Sequence, residues 1–166
     1  MYLPQRPCIL HNSAVVLEPL TVADADCFYS LYTHPLLTAG FGEAAVLESE
    51  TSEAFTERII SACDFIFTIR PAAKPQLIVG DCALHHWDRV MGEIQIGGGL
   101  FPQFWGQGYM QAAFTLLAQM AQTELGVKGV LACTQTNNHK AIRLAEKMGF
   151  QPIERSGVEL TLRKAL

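Results

Sequence analysis

The sequence predicts a mixed α/β fold on one sheet, and three observations predict it. Segments of strand and helix periodicity interleave in the order β-α-α-β-β-β-α-β-α-β-β. The chain has 166 residues and no internal repeat, which suits one domain over 1–166 with a sizeable core. Residues 102–113 (PQFWGQGYMQAA) form a glycine-rich turn that runs straight into an apolar stretch of helical spacing.

The elements follow in order. Residues 1–12 read as an irregular lead-in, and 13–20 (SAVVLEPL) as the first strand. Thr21, with Asp24 three residues on, is a helix-start signal. Apolar positions at Cys27, Phe28, Leu31 and Tyr32 carry a helix over 23–32, which Pro35 ends. Residues 34–47 read as a loop with Pro35, Gly40 and Gly42. A second helix is expected over 48–63, striped by Ala54, Phe55, Ile59 and Ala62, with acids at its N-terminal end as the dipole prefers.

Residues 64–70 alternate as a strand does, and 71–75 turn the chain. Strands over 76–87 and 92–100 flank a turn at 88–91 and make a hairpin. After the glycine turn, Met110, Ala113, Phe114, Leu117, Met120 and Ala121 mark a helix over 109–125, stopped by Gly126. A short apolar strand over 128–134 precedes a helix over 138–147, which ends at Gly149. Residues 150–155, the Ser156-Gly157 turn and 158–164 make a closing hairpin.

Composition narrows the function classes. The formal net charge of −4 argues against a nucleic-acid partner, which favours basic patches. It also means that a polyanion is not drawn in by overall charge, so local donors have to hold it. No apolar run approaches the roughly 18 residues of a membrane span. The opening MYLPQRPCIL lacks the apolar block and cleavage site of a secretory leader. Cys8, Cys27, Cys63, Cys82 and Cys133 are odd in number and widely spaced, with no C-x-x-C pair. Reduced thiols in a cytoplasmic protein are therefore expected, and no metal site.

The glycine turn carries the chemistry. The first N–H groups of a helix have no partner within it, and the helix dipole adds positive charge there. A turn bare of side chains lets a phosphate sit directly on those donors. Gly106 and Gly108 supply that bareness, so the stretch reads as a pyrophosphate cradle. A Walker loop is excluded, because no Gly-Lys-Ser or Gly-Lys-Thr occurs. The dinucleotide fingerprint fails too, since Gly106-x-Gly108 is followed by Gln111 and Gly97-Gly98-Gly99 by Pro102.

Gln103-x-x-Gly106-x-Gly108 resembles the Q/R-x-x-G-x-G/A acyl-CoA loop of the GNAT N-acetyltransferase superfamily. Phe104-Trp105-Gly106-Gln107-Gly108-Tyr109 is similar to the YWGKGY of its RimJ/RimL-like branch. Residues 138–150 (NHKAIRLAEKMGF) resemble the family's N-x-x-S-x-x-x-x-E-K-x-G-F, matching at Asn138, Glu146, Lys147, Gly149 and Phe150. The opening VLEPLTVAD resembles the branch's LRPLTxxD, with Glu18 where Arg is usual. The resemblance covers essentially the whole chain. It implies the GNAT fold, a single mixed, mostly antiparallel sheet flanked by about four helices.

It also implies an acetyl-CoA-dependent N-acetyltransferase that moves the acetyl group by direct attack of a primary amine, either a protein N-terminus or a small molecule. No metal takes part, and a homodimer is common in the family. By this resemblance Leu100, Gln103, Gly106, Gln107, Gly108, Tyr109, Met110, Asn138 and Arg143 bind CoA. The thioester carbonyl meets backbone N–H groups within 97–100. Asn138 reads equally as a helix cap, and Lys140 and Arg143 as phosphate partners or as a solvated helix face. Trp105 reads as a packing anchor for the loop. The family's Ser position holds Ala141, and a Tyr position of another branch holds Ala145. Water or another group then protonates the leaving thiolate.

Glu93 is the expected base, direct or through water, with a surface or structural carboxylate as the alternative. Gln95 falls on the usual family spacing, and a bulge at Gly97, Gly98 and Gly99 would restore Glu93 to it. His85 and His86 are adjacent in a strand and so are expected on opposite faces, where they cannot share a metal. One of them faces the acceptor side, as a proton relay or as a structural histidine. Phe41, Glu43, His85 and Gln95 are the candidate acceptor-binding residues, with the 35–43 loop otherwise a plain connection. Two further classes stay open on the sequence alone. One is a non-catalytic acyl-CoA-binding module, motivated by Ala141 and Ala145. The other is a nucleotide-binding module using the same helix start.

Overall fold

The structure is a computed structural model that describes residues 8–39 and 45–166. The strands are Leu10–His11 (β1), Val15–Pro19 (β2), Phe65–Pro71 (β3), Gly80–Asp88 (β4), Glu93–Leu100 (β5), Gly129–Gln135 (β6), Gln151–Ser156 (β7) and Glu159–Ala165 (β8). The helices are Ala25–Tyr32 (α1), Pro35–Thr38 (α2), Ser52–Ala62 (α3), Tyr109–Thr123 (α4) and His139–Lys147 (α5). The strands form one eight-stranded sheet in the order β1-β2-β3-β4-β5-β6-β8-β7. Every pairing is antiparallel except that of β5 with β6.

Most expected elements form within a few residues of their expected bounds, and local chemistry explains the departures. The lead-in contains the short strand β1, because Asn12 Oδ1 accepts the N–H groups of Ala14 and Val15 and turns the chain back onto β2. The loop expected from residue 34 opens with one helical turn, α2. Pro35 takes a first-turn position, where its missing N–H costs nothing, and His34 caps Leu36. The second helix starts at Ser52 rather than 48. Thr51 caps it, and Glu50 lies before that cap, bound to Arg58 at 2.7 Å. Glu18, the departure from the branch pattern, pairs with Arg70 of β3 at 3.4 Å.

Alternation along the strands divides the core between the two faces. Leu17, Phe67, Leu84, Ile94 and Ile96 pack with Met110, Ala113 and Leu117 of α4. On the opposite face Ile66 and Ala83 pack with Phe28 of α1 and Phe55 of α3, whose rings stack at 5.1 Å. Two irregularities interrupt the sheet. In the β4–β5 ladder the register shifts between His85 and Asp88, so β4 carries one extra residue. The β5–β6 pairing runs only from Glu93–Gly129 to Gln95–Leu131. Beyond it β5 stays with β4 as far as Leu100, and β6 stays with β8 as far as Gln135. A gap opens between 96–100 and 132–135. Among the described residues no helix is long and apolar enough to cross a membrane.

Candidate active site

The gap is lined on one side by the glycine stretch of β5. Phe101 N–H donates to Val79 O at 3.0 Å and Gly99 N–H to Asp81 Oδ1 at 3.2 Å, both toward β4. Backbone groups alternate along a strand, so the N–H groups of Gly98 and Leu100 face the gap. Leu100 O is already taken by Trp105 Nε1 at 3.0 Å, which leaves the donors. Gly98 has to be glycine here, since a Cβ would run into the Asp81 carbonyl oxygen.

The glycine turn lies at the end of this strand. Gly106 (φ 74°) and Gly108 (φ 82°) take the left-handed conformation, and a Cβ on either would meet nothing within 4 Å. Gly108 begins α4 with no side-chain cap, whereas Thr51 caps α3 and Asn138 caps α5. The first bond inside α4 is Ala112 N–H to Gly108 O at 3.1 Å. The N–H groups of Tyr109, Met110 and Gln111 therefore have no acceptor within the helix. Gln107 Nε2 braces the turn on Gln103 O at 3.2 Å. Met110 is buried in the core, and Tyr109 packs against Phe104 with ring centres 6.4 Å apart. Trp105 anchors the turn from beneath and carries Lys140 Nζ 3.9 Å from its ring centre.

Lys140 ties the turn to the start of α5. There Asn138 Oδ1 accepts the N–H of Ala141 at 3.3 Å, so the cap is formed and its amide NH2 is left as a donor. Arg143 is exposed on the same helix, and Ala145 is buried in the core.

The other face of β4 and β5 carries the ionisable groups. The bulge on β4 gives His86 a positive φ of 52°. This corrects two expectations. The register change lies at His86 and Trp87 of β4, not at the three glycines, because the glycines allow β5 to pair regularly with Ala83, Cys82 and Asp81. His85 and His86 do not point apart either. The positive φ swings His86 back until the two Nδ1 atoms are 2.6 Å apart. One of them must donate to the other. His85 Nε2 lies 3.5 Å from where a Gly97 side chain would begin. Burial and His86 lower the pKa of His85, so it holds the free base.

Gln95 pairs with His85 across the ladder, and its Oε1 lies 3.8 Å from Cys133 Sγ. Glu93 stands at the paired end of β5, opposite Gly129, where its carboxylate is bound by Arg163 of β8 at 2.7 Å. Phe41 and Glu43 lie outside the described residues. All five cysteines are free thiols. Among the described residues no group of three or more His, Cys, Asp or Glu side chains is arranged to hold a metal ion.

Sequence reasoning missed Asp81. It is 2% exposed, and it accepts from Tyr32 Oη at 2.8 Å and from Gly99 N–H at 3.2 Å, both on Oδ1. The available signal was an acid inside an apolar strand (LIVGDCAL), opposite a glycine. Burial pushes its carboxyl up to about 7, against the two hydrogen bonds that favour the anion. The unfolded chain gives up this proton near pH 4 and the folded one near 7, so stability from this group is lost as pH rises between those values. Asp81→Asn is expected to stabilise the fold by ~2 kcal/mol at pH 8 and to lose most of that advantage at pH 5. Urea unfolding at the two pH values checks this; an equal effect at both would assign the change to packing.

Comparison with known proteins bears on the family and the fold. A family model described as an acetyltransferase (GNAT) domain matches residues 14–151. The chain is 20% identical over 146 residues to the uncharacterized N-acetyltransferase YoaA of Bacillus subtilis, covering 86% of this chain and 82% of that one. An acetyltransferase (GNAT family) from Bacillus anthracis superposes with a TM-score of 0.81 at 15% identity, covering 95% and 98% of the two chains. Spermidine N-acetyltransferase from Vibrio cholerae, in complex with CoA and spermine, superposes at 0.74 with 16% identity, covering 93% and 96%. At such identities the structures speak for the fold alone, and the family rests on the match over 14–151: the chain belongs to the GNAT family and is an N-acetyltransferase of that family.

Proposed function

We propose that the chain is one GNAT domain of the RimJ/RimL-like branch, which transfers the acetyl group of acetyl-CoA to a primary amine, either a protein N-terminus or a small molecule. The observation that carries this is the gap between β5 and β6, with an uncapped helix start at its end. Gly106, Gly108 and the free N–H groups of Tyr109, Met110 and Gln111 suit the pyrophosphate. Asn138 NH2 suits a pantetheine carbonyl, and exposed Lys140 and Arg143 suit the remaining phosphate charge. The N–H groups of Gly98 and Leu100 suit the thioester oxygen as it becomes an oxyanion.

The acceptor amine is assigned to the face of Gly97 and Gly99, beside His85 and Gln95. Attack on the thioester turns the amine nitrogen into a cationic centre whose proton is far more acidic than that of a free ammonium. A neutral imidazole can take that proton, and we assign this to His85 Nε2. That role needs the proton of His85 on Nδ1, donated to His86 Nδ1, so the bulged His86 fixes the tautomer. The carboxylate of Glu93, expected as the base, is committed to Arg163, and we assign it the ion pair instead. The five free thiols suit a reducing compartment, and we assign the enzyme to the cytoplasm. A homodimer belongs to the same reading.

Calorimetric titration with acetyl-CoA, with ATP as control, tests the first half of the reading. Thiol release over a panel of polyamines, amino acids and N-terminal peptides tests the second. Selective acetyl-CoA binding and sustained release with at least one amine are expected. A folded sample that binds neither nucleotide, or prefers ATP, rejects the assignment.

A further inference from the structure

Asp81 takes no direct part in the proposed acetyl transfer, yet it stands one peptide from both proposed oxyanion donors. Gly99 N–H points at β4 but is met by a side-chain carboxylate of that strand, Asp81 Oδ1, at 3.2 Å. Tyr32 of α1 holds the same oxygen at 2.8 Å. The space that makes this possible is the absent side chain of Gly99. A Cβ there would stand 3.1 Å from Leu37 Cδ2, 3.9 Å from Asp81 Oδ1 and 4.0 Å from Tyr32 Oη. A charge-capable group this deeply buried is costly, whereas a backbone acceptor would carry no such cost. Both donors converge on one oxygen, so the strand's conformation at Gly99 depends on a side chain that can titrate.

We infer that Asp81 is a positioning residue: held by Tyr32, its carboxylate fixes the Gly99 peptide and thereby aims the flanking N–H groups of Gly98 and Leu100 at the acyl carbonyl. This rests on the functional reading given above. The charged carboxylate holds an N–H more tightly than the neutral acid. Turnover should therefore rise as Asp81 loses its proton, near pH 7. The titratable neighbours around it are Tyr32 of α1 and Cys63 at the end of α3 on its own side of the sheet, and Cys82, the next residue on its strand, on the other side. Burial and the Asp81 charge push the phenol and both thiols up, so all three stay protonated through neutrality. His85, further along the same face of β4, titrates below the ordinary imidazole range, which separates the two inflections.

The test is the pH dependence of kcat for the full chain, measured by thiol release with acetyl-CoA and one saturating amine. Asp81→Asn keeps an acceptor for both donors but no charge. It should lower kcat about tenfold, leave KM for acetyl-CoA within about twofold, and erase the inflection near neutrality, since displacing an oxyanion donor acts on the transition state alone. Tyr32→Phe removes a bond that favours the anion, so its inflection should move to higher pH. That second variant carries the test if the first does not fold. An Asp81→Asn enzyme with unchanged kcat and pH profile overturns the inference and leaves the functional reading standing. A folded wild-type chain that neither binds acetyl-CoA nor turns over any amine overturns both.

Discussion

Gly108→Val is expected to weaken acetyl-CoA binding by on the order of a hundredfold or more, the largest effect of any single substitution in the cradle. Two causes add. The left-handed φ of 82° costs an L-residue roughly 1–2 kcal/mol, and a β-branched one more. The new side chain also covers the helix start, where two or three charge-assisted hydrogen bonds form at about 1.5–3 kcal/mol each. Gly126→Val separates these causes. Gly126 also has a positive φ of 66° and nothing within 4 Å of a Cβ, but it lies past the opposite end of α4. It should cost similar stability and leave acetyl-CoA affinity within about threefold. Calorimetry on the three proteins decides the point, and normal binding by the Gly108 variant would move the cradle elsewhere.

The second large effect is expected at His85. Losing a general base costs on the order of a hundredfold or more in kcat, and His85→Gln should show that loss with little change in KM for acetyl-CoA. The lower inflection of the acid limb should vanish with it, leaving that of Asp81 near neutrality. In the wild type that lower inflection lies below the ordinary imidazole range, because burial and His86 disfavour the imidazolium. Glu93→Gln breaks an ion pair with Arg163 that is partly open to solvent, and should cost kcat less than about threefold. If instead Glu93→Gln removes the lower inflection and His85→Gln does not, the carboxylate is the base and the imidazole is structural.

The two glutamates and two histidines show where sequence reasoning stops. Glu18 and Glu93 are both departures from a family pattern. Each is matched by an arginine distant in sequence, Arg70 and Arg163, which only strand pairing brings near. His85 and His86 read as opposite-facing because strand alternation is a rule about regular ladders. The bulge that breaks it is set by the pairing of β4 with β5, and no local residue announces it.

The sequence by itself determined the class of fold, the order of nearly all its elements, and the bare helix start at Gly106 and Gly108. These depend on local periodicity, caps and turn chemistry, which act over a few residues. It also marked Asn138, whose capping bond is local. The tertiary structure alone decided the rest. The gap exists because β5 leaves β6 after Gln95, a matter of which strands diverge and not of which residues prefer to. Asp81 meets Tyr32 and Gly99 from 49 and 18 residues away. Contacts that distant are settled by how two faces of a sheet bury their side chains, and a linear pattern carries no record of them.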